Sequence, residues 1–461
     1  MRDFAYCGAH FMEPLRAISS SIQFRKEFSV KALNETYHSF VRYKSAVGVD
    51  KINTVLFEKN FKANIDIIHR KVFKGTYKFS QYREKLLLRG QKKFPRTLAI
   101  PTMRDKLTLK ALSNVLSGVY GADSPFLHEI IEDIKNNYMS GQFDTYLRLD
   151  VKDFYPSIKH DLLLKELGKK IRKKEIISLI RDAIRQATVA KAEGKKKTYN
   201  EIGVPQGLSI SNISANIYMM SLDERHKKET SYKFYRYVDD LLVLCNSKDA
   251  ESIKEKIVQD CKALGLSLHA DEGNGDKSGL GNISDGFTYL GYIFSPRAVS
   301  VRKSSLDHLR ESIVKIFTNY KYSDSKNLQL LKWAVDIRIT GCVFNGLRFG
   351  WLFFFSQIDD ISLLFSLDHF VNKLSNRFDI DTNRIKPKRF VKAFHEITKN
   401  KDNTSYIPNF DSQNISEKRR ILTDIFDVKT KLMTPNEIEY QFNKKIYRTV
   451  RDLERDLARN S

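Results

Sequence analysis

Residues 234–244 read Phe-Tyr-Arg-Tyr-Val-Asp-Asp-Leu-Leu-Val-Leu, so two adjacent carboxylates, Asp239 and Asp240, interrupt an apolar run. Because successive side chains of a strand point to opposite faces, one aspartate can face a site while the other lies near a turn. A buried carboxylate without a partner is costly, so we expect a cationic group nearby. The pair alone fits the tip of an ordinary hairpin equally well, and other segments must decide between the two interpretations.

A second apolar run also ends in carboxylates. Residues 146–155 read Tyr-Leu-Arg-Leu-Asp-Val-Lys-Asp-Phe-Tyr, with Asp150 at the end of a predicted strand. If the two strands lie side by side, Asp150 comes next to Asp239 and Asp240, and three hard oxygen ligands in one place suit Mg²⁺. Two such ions about 3.5–4 Å apart would activate an attacking 3′-hydroxyl and stabilise a leaving pyrophosphate. Mn²⁺ can substitute for Mg²⁺ at a site of this kind.

A glycine-containing segment lies between these two strands in the sequence. Residues 203–212 read Gly-Val-Pro-Gln-Gly-Leu-Ser-Ile-Ser-Asn, and the glycines that flank the Pro-Gln pair allow a backbone or a base to approach closely. Alone, the segment is consistent with a simple turn. Its position between the two carboxylate strands favours a place in the same site.

The charge balance predicts a polyanionic partner. The chain has 79 Lys and Arg residues against 55 Asp and Glu residues, a formal net charge of +24, which indicates nucleic acid or an anionic membrane. The longest apolar cluster, residues 351–355, is far shorter than the roughly 20 residues of a spanning helix, and the N-terminus does not resemble a secretory signal. Four scattered cysteines favour a reducing compartment and neither disulfides nor a zinc site: Cys7, Cys245, Cys261 and Cys342. We therefore expect a soluble cytoplasmic protein that does not bind membranes.

The pattern of apolar residues predicts an α+β fold. Residues 1–90 are mostly helical in pattern, and strands are expected at 98–101, 146–151, 233–245 and 287–294. Helices are expected over 162–188 and 209–222, and from residue 306 to the end. Strands in the middle with helices on both flanks suggest an α+β core followed by an all-helical part.

Four motifs in order resemble the palm of a reverse transcriptase. They are Leu-Asp-Val-Lys-Asp-Phe-Tyr at 149–155, Gly-Val-Pro-Gln-Gly at 203–207, Tyr-Val-Asp-Asp at 237–240 and Phe-Thr-Tyr-Leu-Gly-Tyr at 287–292. Upstream, residues 95–106 read Pro-Arg-Thr-Leu-Ala-Ile-Pro-Thr-Met-Arg-Asp-Lys and resemble the fingers motif of bacterial reverse transcriptases. The resemblance covers residues from about 90 to 300, and the order of the motifs makes it specific.

The resemblance implies a right-hand polymerase fold with fingers, palm, an all-helical thumb and an all-helical C-terminal region. The implied boundaries are a helical N-terminal extension with the start of the fingers at 1–90, and fingers at 91–145. The palm spans 146–300, the thumb spans 301–380, and a basic C-terminal region spans 381–461. The implied activity is RNA-directed DNA polymerase, with an RNA template, dNTPs and a DNA product.

The resemblance also assigns roles to particular residues. Asp150, Asp239 and Asp240 would bind the metal ions. Tyr155 would stack under the deoxyribose and exclude a 2′-hydroxyl, although a core tyrosine is the plainer interpretation. The remaining dNTP-binding candidates are Asp153, Phe154, Gln206, Arg96 and Lys93, of which Lys93 is equally well explained as a solvated surface charge. The candidates for primer or template contact are Tyr237, Tyr289, Leu290 and Gly291.

Within the family, the chain looks most like bacterial defence-associated reverse transcriptases, the unknown-group and abortive-infection enzymes, which are related to group II intron and retron enzymes. Ser211-Asn212 replaces the Ser-Pro usual in group II intron enzymes, and the Asn-Ala-x-x-His motif of retron enzymes is absent. Many relatives have a lysine near the position of Glu272, where Lys277 is the nearest replacement, so no general acid is assigned.

This subgroup implies an antiphage role, a non-coding RNA template and self-association. Template-independent or protein-primed DNA synthesis remains an alternative, and a non-catalytic RNA-binding scaffold is a second one. The aromatic segment 351–355 fits a buried thumb helix, a subunit interface or a stacking surface for nucleic acid.

Overall fold

The structure is a computed structural model that describes residues 19–44, 46–88, 94–121, 127–190, 199–269, 278–381, 385–400 and 403–458. The helices of these residues, numbered here in chain order, are Ser20–Glu27 (α1), Val30–Thr36 (α2), Thr54–Lys59 (α3), Phe61–Phe73 (α4), Met103–Tyr120 (α5), Leu127–Met139 (α6), Phe154–Ser157 (α7), His160–Gly168 (α8), Lys174–Ile184 (α9), Ser211–Lys227 (α10), Ala250–Ala263 (α11), Lys303–Lys321 (α12), Leu328–Thr340 (α13), Trp351–Phe354 (α14), Ile361–Arg377 (α15), Phe390–Lys399 (α16), Ile415–Asp424 (α17) and Pro435–Ala458 (α18).

The strands of the same residues form four small sheets. They are Tyr82–Leu87 (β1), Arg96–Ile100 (β2), Thr145–Asp150 (β3), Thr188–Val189 (β4), Lys233–Tyr237 (β5), Asp240–Cys245 (β6), Gly279–Asn282 (β7), Phe287–Tyr289 (β8), Tyr292–Phe294 (β9), Val299–Val301 (β10), Cys342–Phe344 (β11) and Leu347–Phe349 (β12). The strand orders are β2-β1-β4, β5-β6-β3-β7, β10-β9-β8 and β11-β12.

The chain divides into two compact units. The first comprises Met12–Pro125 and Phe143–Gly281, and the second comprises Phe126–Gln142 and Asn282–Ser461. Among the described residues, none of the helices combines the length and the apolar character that crossing a membrane requires.

The central sheet of the first unit is built around β6. Strand β6 pairs antiparallel with β3 on one side and with β5 on the other, and its residues 241–245 are all buried. Helices α10 and α11 pack against β5 and β3 respectively. An apolar strand with both neighbours in place gives the carboxylates at its end a fixed backbone position.

The fingers motif identified in the sequence forms β2 and the start of α5. The Thr102 side chain caps the helix by accepting a hydrogen bond from the backbone N–H of Asp105 at 3.3 Å. The Asp105 carboxylate in turn accepts hydrogen bonds from Thr102 Oγ1 at 2.7 Å and from Tyr77 Oη at 2.8 Å. Burial raises the pKa of Asp105 to about 6. The Thr-Met-Arg-Asp segment therefore anchors the strand that carries Arg96.

The second unit carries a three-stranded sheet that is followed by helices. Leu290 and Gly291, which join β8 to β9, have φ of 49° and 86°, as a type I′ hairpin turn requires. Helix α6 packs on this sheet, with the Tyr138 ring 5.8 Å from that of Phe287 and 5.9 Å from that of Phe294. The segment 351–355 packs inside the unit, where Trp351 and Phe355 are fully buried, which favours the interpretation as a buried helix.

The structure confirms the α+β class and corrects the expected elements in three places: within 162–188, within the N-terminal region and within the part after residue 306. The helix expected over 162–188 is wrong as one element, because α8 and α9 are separated by residues 169–173 and the segment ends in β4. The mostly helical N-terminal region includes the strand β1.

The part expected to be all-helical contains the hairpin of β11 and β12. Its turn residues Asn345 and Gly346 have φ of 52° and 69°, and Asn-Gly is the strongest short hairpin signal in a sequence. The Asp411 carboxylate accepts hydrogen bonds from both of their backbone N–H groups, at 2.7 and 2.8 Å.

Candidate active site

Strands β3 and β6 bring the candidate metal ligands to one edge of the sheet. In the antiparallel register Asp150 lies opposite Asp240, and Val151 N–H donates to the backbone oxygen of Asp239 at 3.1 Å. Directly opposed residues point to the same face with Cβ atoms about 4.5–5.5 Å apart. The prediction that the two carboxylate strands lie side by side is confirmed.

An arginine and a histidine face these carboxylates. Arg148 Nη2 lies 3.9 Å from Asp240 Oδ1, and His269 Nε2 lies 3.7 Å from Asp150 Oδ2. Both aspartate side chains are 13% exposed, so each keeps a limited opening to solvent. The expectation of a compensating cation is confirmed for Asp240, beside which Arg148 lies.

The donor atoms at this edge suit a hard divalent cation, since carboxylate oxygens are its preferred ligands. As they stand, no three His, Cys, Asp or Glu side chains within the described ranges converge closely enough to hold a metal ion. Asp150 and Asp240 are directed instead towards His269 and Arg148. The chemistry of the residues therefore fits Mg²⁺, and their backbone register places two of the three ligands face to face.

The turn between β5 and β6 has a strained backbone, and hydrogen bonds through Arg236 connect it to helix α10. Val238 has φ of 59°, a conformation that is unusual for a β-branched residue and costs on the order of 1–3 kcal/mol. Arg236 Nη1 donates to the backbone oxygen of Val238 at 3.0 Å. The same guanidinium donates to both carboxylate oxygens of Asp223 on α10, at 2.7 and 2.5 Å. The residue just before Asp239 is thereby tied to α10.

Arg236 was missed as a functional residue in the sequence. The available signal was a second arginine inside an apolar carboxylate strand, since Arg148 occupies a similar place before Asp150. Its partner Asp223 lies on a helix whose rotation about its axis the sequence does not specify.

The glycines of the 203–207 loop permit close backbone contacts on two sides. Gly203 has φ of 87°, and a Cβ atom there would lie 2.9 Å from the backbone oxygen of Pro156. Gly207 has φ of 97°, and its Cβ would lie 3.2 Å from the backbone oxygen of Ala99. Ala99 N–H donates to the Gln206 backbone oxygen at 2.7 Å. The loop therefore joins the segment after Asp150 to the strand β2, as the close approach predicted from the sequence requires.

Tyr155 is buried and has a defined polar partner. Its hydroxyl donates to Asn212 Oδ1 at 2.5 Å, and its backbone oxygen accepts from Val204 N–H at 2.9 Å. Phe154 is buried beside it, with ring centroids 5.5 Å apart, and exposed Asp153 has φ of 45°. The aromatic ring is thus fixed between the Asp150 segment and the start of α10.

The remaining predicted residues fall in several places. Arg96 is the first residue of β2, opposite Leu87, and Tyr237 lies opposite Asp240 across β5 and β6. Tyr289, Leu290 and Gly291 form the β8–β9 turn of the second unit. Lys93 lies outside the described residues, as do Glu272 and Lys277.

Comparison with known proteins agrees with this geometry. Residues 89–294 match the family of the reverse transcriptase (RNA-dependent DNA polymerase). An uncharacterized 91 kDa protein in the cob intron of Schizosaccharomyces pombe is 33% identical over 151 residues, which are 30% of this chain and 18% of that protein. The group II intron-encoded protein LtrA of Lactococcus lactis is 26% identical over 160 residues, which are 32% of this chain and 26% of LtrA.

Two telomerase structures show a looser likeness. That of Candida tropicalis has a TM-score of 0.36 at 16% identity and covers 49% of this chain and 55% of that one. That of Candida albicans has a TM-score of 0.39 at 11% identity and covers 86% of this chain and 67% of that one.

The residues that match this family include the strands β3, β5 and β6 of the central sheet and the candidate carboxylates at its edge. The similarity to the reverse transcriptase family is thus confined to residues 89–294, and the relatives named above are intron-encoded proteins. The chain spans about a fifth to a quarter of the length of these curated relatives.

Proposed function

We propose that the protein is an RNA-directed DNA polymerase that adds dNTPs to a 3′-hydroxyl. The observation that carries the proposal is the register of Asp150 opposite Asp240, within a domain that matches the reverse transcriptase family. In the proposed reaction the primer 3′-oxygen forms a bond to the α-phosphorus, the bond to the leaving oxygen breaks, and pyrophosphate departs. Phosphoryl transfer of this kind needs positioning and charge more than covalent help from the protein.

The chain's own residues supply the positioning. Asp150, Asp239 and Asp240 would hold Mg²⁺ ions, which supply positive charge to the triphosphate and activate the attacking hydroxyl when bound. Arg96 offers a planar guanidinium for the triphosphate, with Lys93 as a second candidate. Gln206 would line the pocket for the paired base, together with Asp153 and Phe154.

The second unit is proposed to hold the primer. Its β8–β9 turn, formed by Tyr289, Leu290 and Gly291, would contact the primer end, and Tyr237 would contact the primer or template strand. We propose the domain boundaries 1–90, 91–145, 146–300, 301–380 and 381–461 for the N-terminal extension, fingers, palm, thumb and C-terminal region.

The central test is primer extension on an RNA template with dNTPs and Mg²⁺. Asp239→Ala/Asp240→Ala should abolish extension, while the control Glu251→Ala/Glu255→Ala, which also removes two carboxylates, should extend normally. Extension that survives in the double-aspartate variant contradicts the assignment of the site. RNA binding that persists while neither wild type nor control extends a primer would support a non-catalytic scaffold instead.

The finer biology is proposed from the resemblance alone. We propose a cytoplasmic, self-associating enzyme of antiphage defence that copies a non-coding RNA. Sequencing of the RNA that co-purifies with the protein, and of any DNA attached to it, tests the template assignment. A DNA product whose sequence is unrelated to the supplied template would favour template-independent synthesis, and DNA joined covalently to the protein would favour protein priming.

A further inference from the structure

A run of basic residues separates α8 from α9 and has no place in the proposed polymerase site. Residues 169–174 read Lys-Lys-Ile-Arg-Lys-Lys. Ile171 is buried, whereas Lys169, Lys170, Arg172 and Lys174 are exposed. The charged side chains of this run therefore face solvent, while the buried Ile171 fixes the run to the core.

The ends of two other helices converge on this run. The Phe24 ring near the end of α1 lies 4.7 Å from Lys173 Nζ and 5.6 Å from the ring of Phe73, the last residue of α4. A Cβ atom at Gly75, just past α4, would lie 4.0 Å from Glu175 Cγ on α9. The C-terminal ends of α1 and α4 therefore both lie close to the turn that precedes α9, with Phe24 in contact with each of the other two segments.

Both of these helix ends are basic as well. Arg25 and Lys26 end α1, and both are exposed. Arg70, Lys71 and Lys74 lie at the end of α4 and are also exposed. We call residues 25–26, 70–74 and 169–174 the helix-end surface.

The acids Glu27, Glu166 and Glu175 lie beside this surface, which has ten basic residues. The Glu27 carboxylate accepts hydrogen bonds from the uncharged side chains of Gln23 and Asn114, and Glu166 pairs with Lys169 at 2.7 Å. Cations at helix C-termini do stabilise the helix dipole, by about 0.3–1 kcal/mol each, but the effect is confined to the last turn. Five basic residues within 169–174 exceed what capping α8 requires.

The helix-end surface lies away from the carboxylate edge. Helix α8 begins at His160, whose Nε2 is hydrogen-bonded to the Gly203 backbone oxygen at 2.7 Å. The helix runs to Gly168, so at 1.5 Å per residue its far end is about 13 Å from that loop. The length of α8 therefore separates these cations from the 203–207 loop.

We infer that the helix-end surface binds the phosphate backbone of a double-helical part of the RNA, outside the polymerase cleft. That the ligand is RNA rests on the proposed function. That it is a polyanion rests only on the clustered positive charge of this surface. Lysines and arginines spread over three helix ends suit a phosphate backbone read by shape, the way in which proteins recognise double-stranded RNA. An amphipathic membrane contact would instead need large apolar side chains among the cations, and the apolar residue of 169–174 is buried.

The test measures RNA binding in a protein that need not be catalytically active. The probe is a 30-base-pair RNA hairpin, and its Kd is measured from 0.05 to 0.5 M KCl. The variant Lys169→Gln/Lys170→Gln/Arg172→Gln/Lys174→Gln should weaken binding at 0.1 M KCl by about tenfold or more. The slope of log Kd against log salt should become shallower by about 2–3, since each phosphate contact contributes roughly 0.7–0.9.

A second variant tests the convergence of the helices without altering residues 169–174. Arg70→Gln/Lys71→Gln/Lys74→Gln should reduce the same salt slope by about 2. The matched control Lys227→Gln/Lys228→Gln/Lys233→Gln/Lys248→Gln removes four exposed cations from elsewhere in the same unit. It should leave the Kd unchanged within about twofold.

Other outcomes are distinguishable. If the control loses as much affinity as the variant, net charge and not this surface is responsible, and the inference fails. It fails also if only binding to phosphatidylglycerol vesicles responds to the substitutions. Extension of a 10-base-pair primer–template should be the same in variant and wild type; a wild type that binds the hairpin but extends no primer refutes the proposed function and leaves this surface intact.

Discussion

Arg236 holds the backbone of Val238, the residue that directly precedes Asp239. The strained turn residue contributes its backbone oxygen, and the guanidinium connects that oxygen to the Asp223 carboxylate of α10. The Arg236 side chain is 7% exposed, so these hydrogen bonds are shielded from competing water. The backbone position of Asp239 therefore depends on the Arg236 side chain, which is directed towards α10.

Arg236→Lys should lower kcat by about 10- to 100-fold, because a lysine cannot bridge Asp223 and the Val238 oxygen in a bidentate arrangement. The KM for primer–template should change little, and the Mg²⁺ concentration required for half-maximal activity should rise. The control is Arg225→Lys on α10, the helix that carries Asp223; Arg225 is an exposed arginine paired with Asp260. Equal losses in both variants would assign the effect to α10 stability.

Tyr155 can be examined through its ring and its hydroxyl separately. Tyr155→Val should increase incorporation of ribonucleotides relative to deoxyribonucleotides by about 10-fold or more, because the ring that would meet a 2′-hydroxyl is lost. Tyr155→Phe keeps the ring and removes only the hydrogen bond to Asn212, so its selectivity should stay near that of wild type. Single-nucleotide incorporation kinetics distinguish the two, and unchanged selectivity in the valine variant would make Tyr155 a core residue only.

At the scale of elements, His226 links α10, β5 and α11 in the first unit. Its Nδ1 lies 2.6 Å from Tyr232 Oη, its Nε2 lies 3.0 Å from Asp260 Oδ2, and its ring stacks on Phe234. Burial lowers the pKa of His226 below 6.5. A neutral imidazole that accepts from the tyrosine and has its N–H towards the aspartate fits both contacts.

The free energy of unfolding should therefore fall as the pH drops below about 6.5. The folded His226 has the lower pKa, so the unfolded chain takes up more protons in that range, and acid favours unfolding. His226→Gln should give a flatter dependence between pH 7 and pH 5 in urea denaturation. The exposed His395→Gln serves as control and should follow wild type; a steeper profile for His226→Gln would contradict the neutral imidazole.

The sequence predicted best those elements whose residue pattern indicates what they pack against. Two apolar runs that end in carboxylates, at Asp150 and at Asp239, favoured a pairing of the two strands, and the structure confirms it. The backbone conformations of Gly203 and Gly207 agree with the close approach predicted for their loop. The break between α8 and α9 was missed because Leu167 and Ile171, four positions apart, continue the helical pattern of α8 into the turn. The Asn345-Gly346 hairpin was detectable, but the long helical segments around it concealed it.

At the scale of the whole molecule, the described thiols are inert in both units. Cys245 and Cys261 lie in the first unit and Cys342 in the second, and all three are buried and free. Burial raises the pKa of Cys245 to about 11 and that of Cys261 to about 12, and it raises the pKa of Cys342 as well.

These thiols should resist alkylation by iodoacetamide at pH 7.5 in the native protein and react within minutes in 8 M urea. Because thiolate is the reactive form, labelling requires unfolding of the surrounding unit. Mass spectrometry of the labelled peptides across a urea series reports the two units separately. Rapid native labelling of Cys245, Cys261 or Cys342 would contradict their burial, and Cys7, outside the described residues, is left out of this comparison.

The register of Asp150 opposite Asp240 joins residues that are 90 positions apart in the chain. Contacts between such distant residues close large loops and slow folding. During synthesis the ribosome must release β6 and the residues behind it before the carboxylate edge can exist. The basic ends of α1 and α4 therefore leave the ribosome before β3 and β6 can pair, so a polyanion can reach these cations before the carboxylate edge has formed.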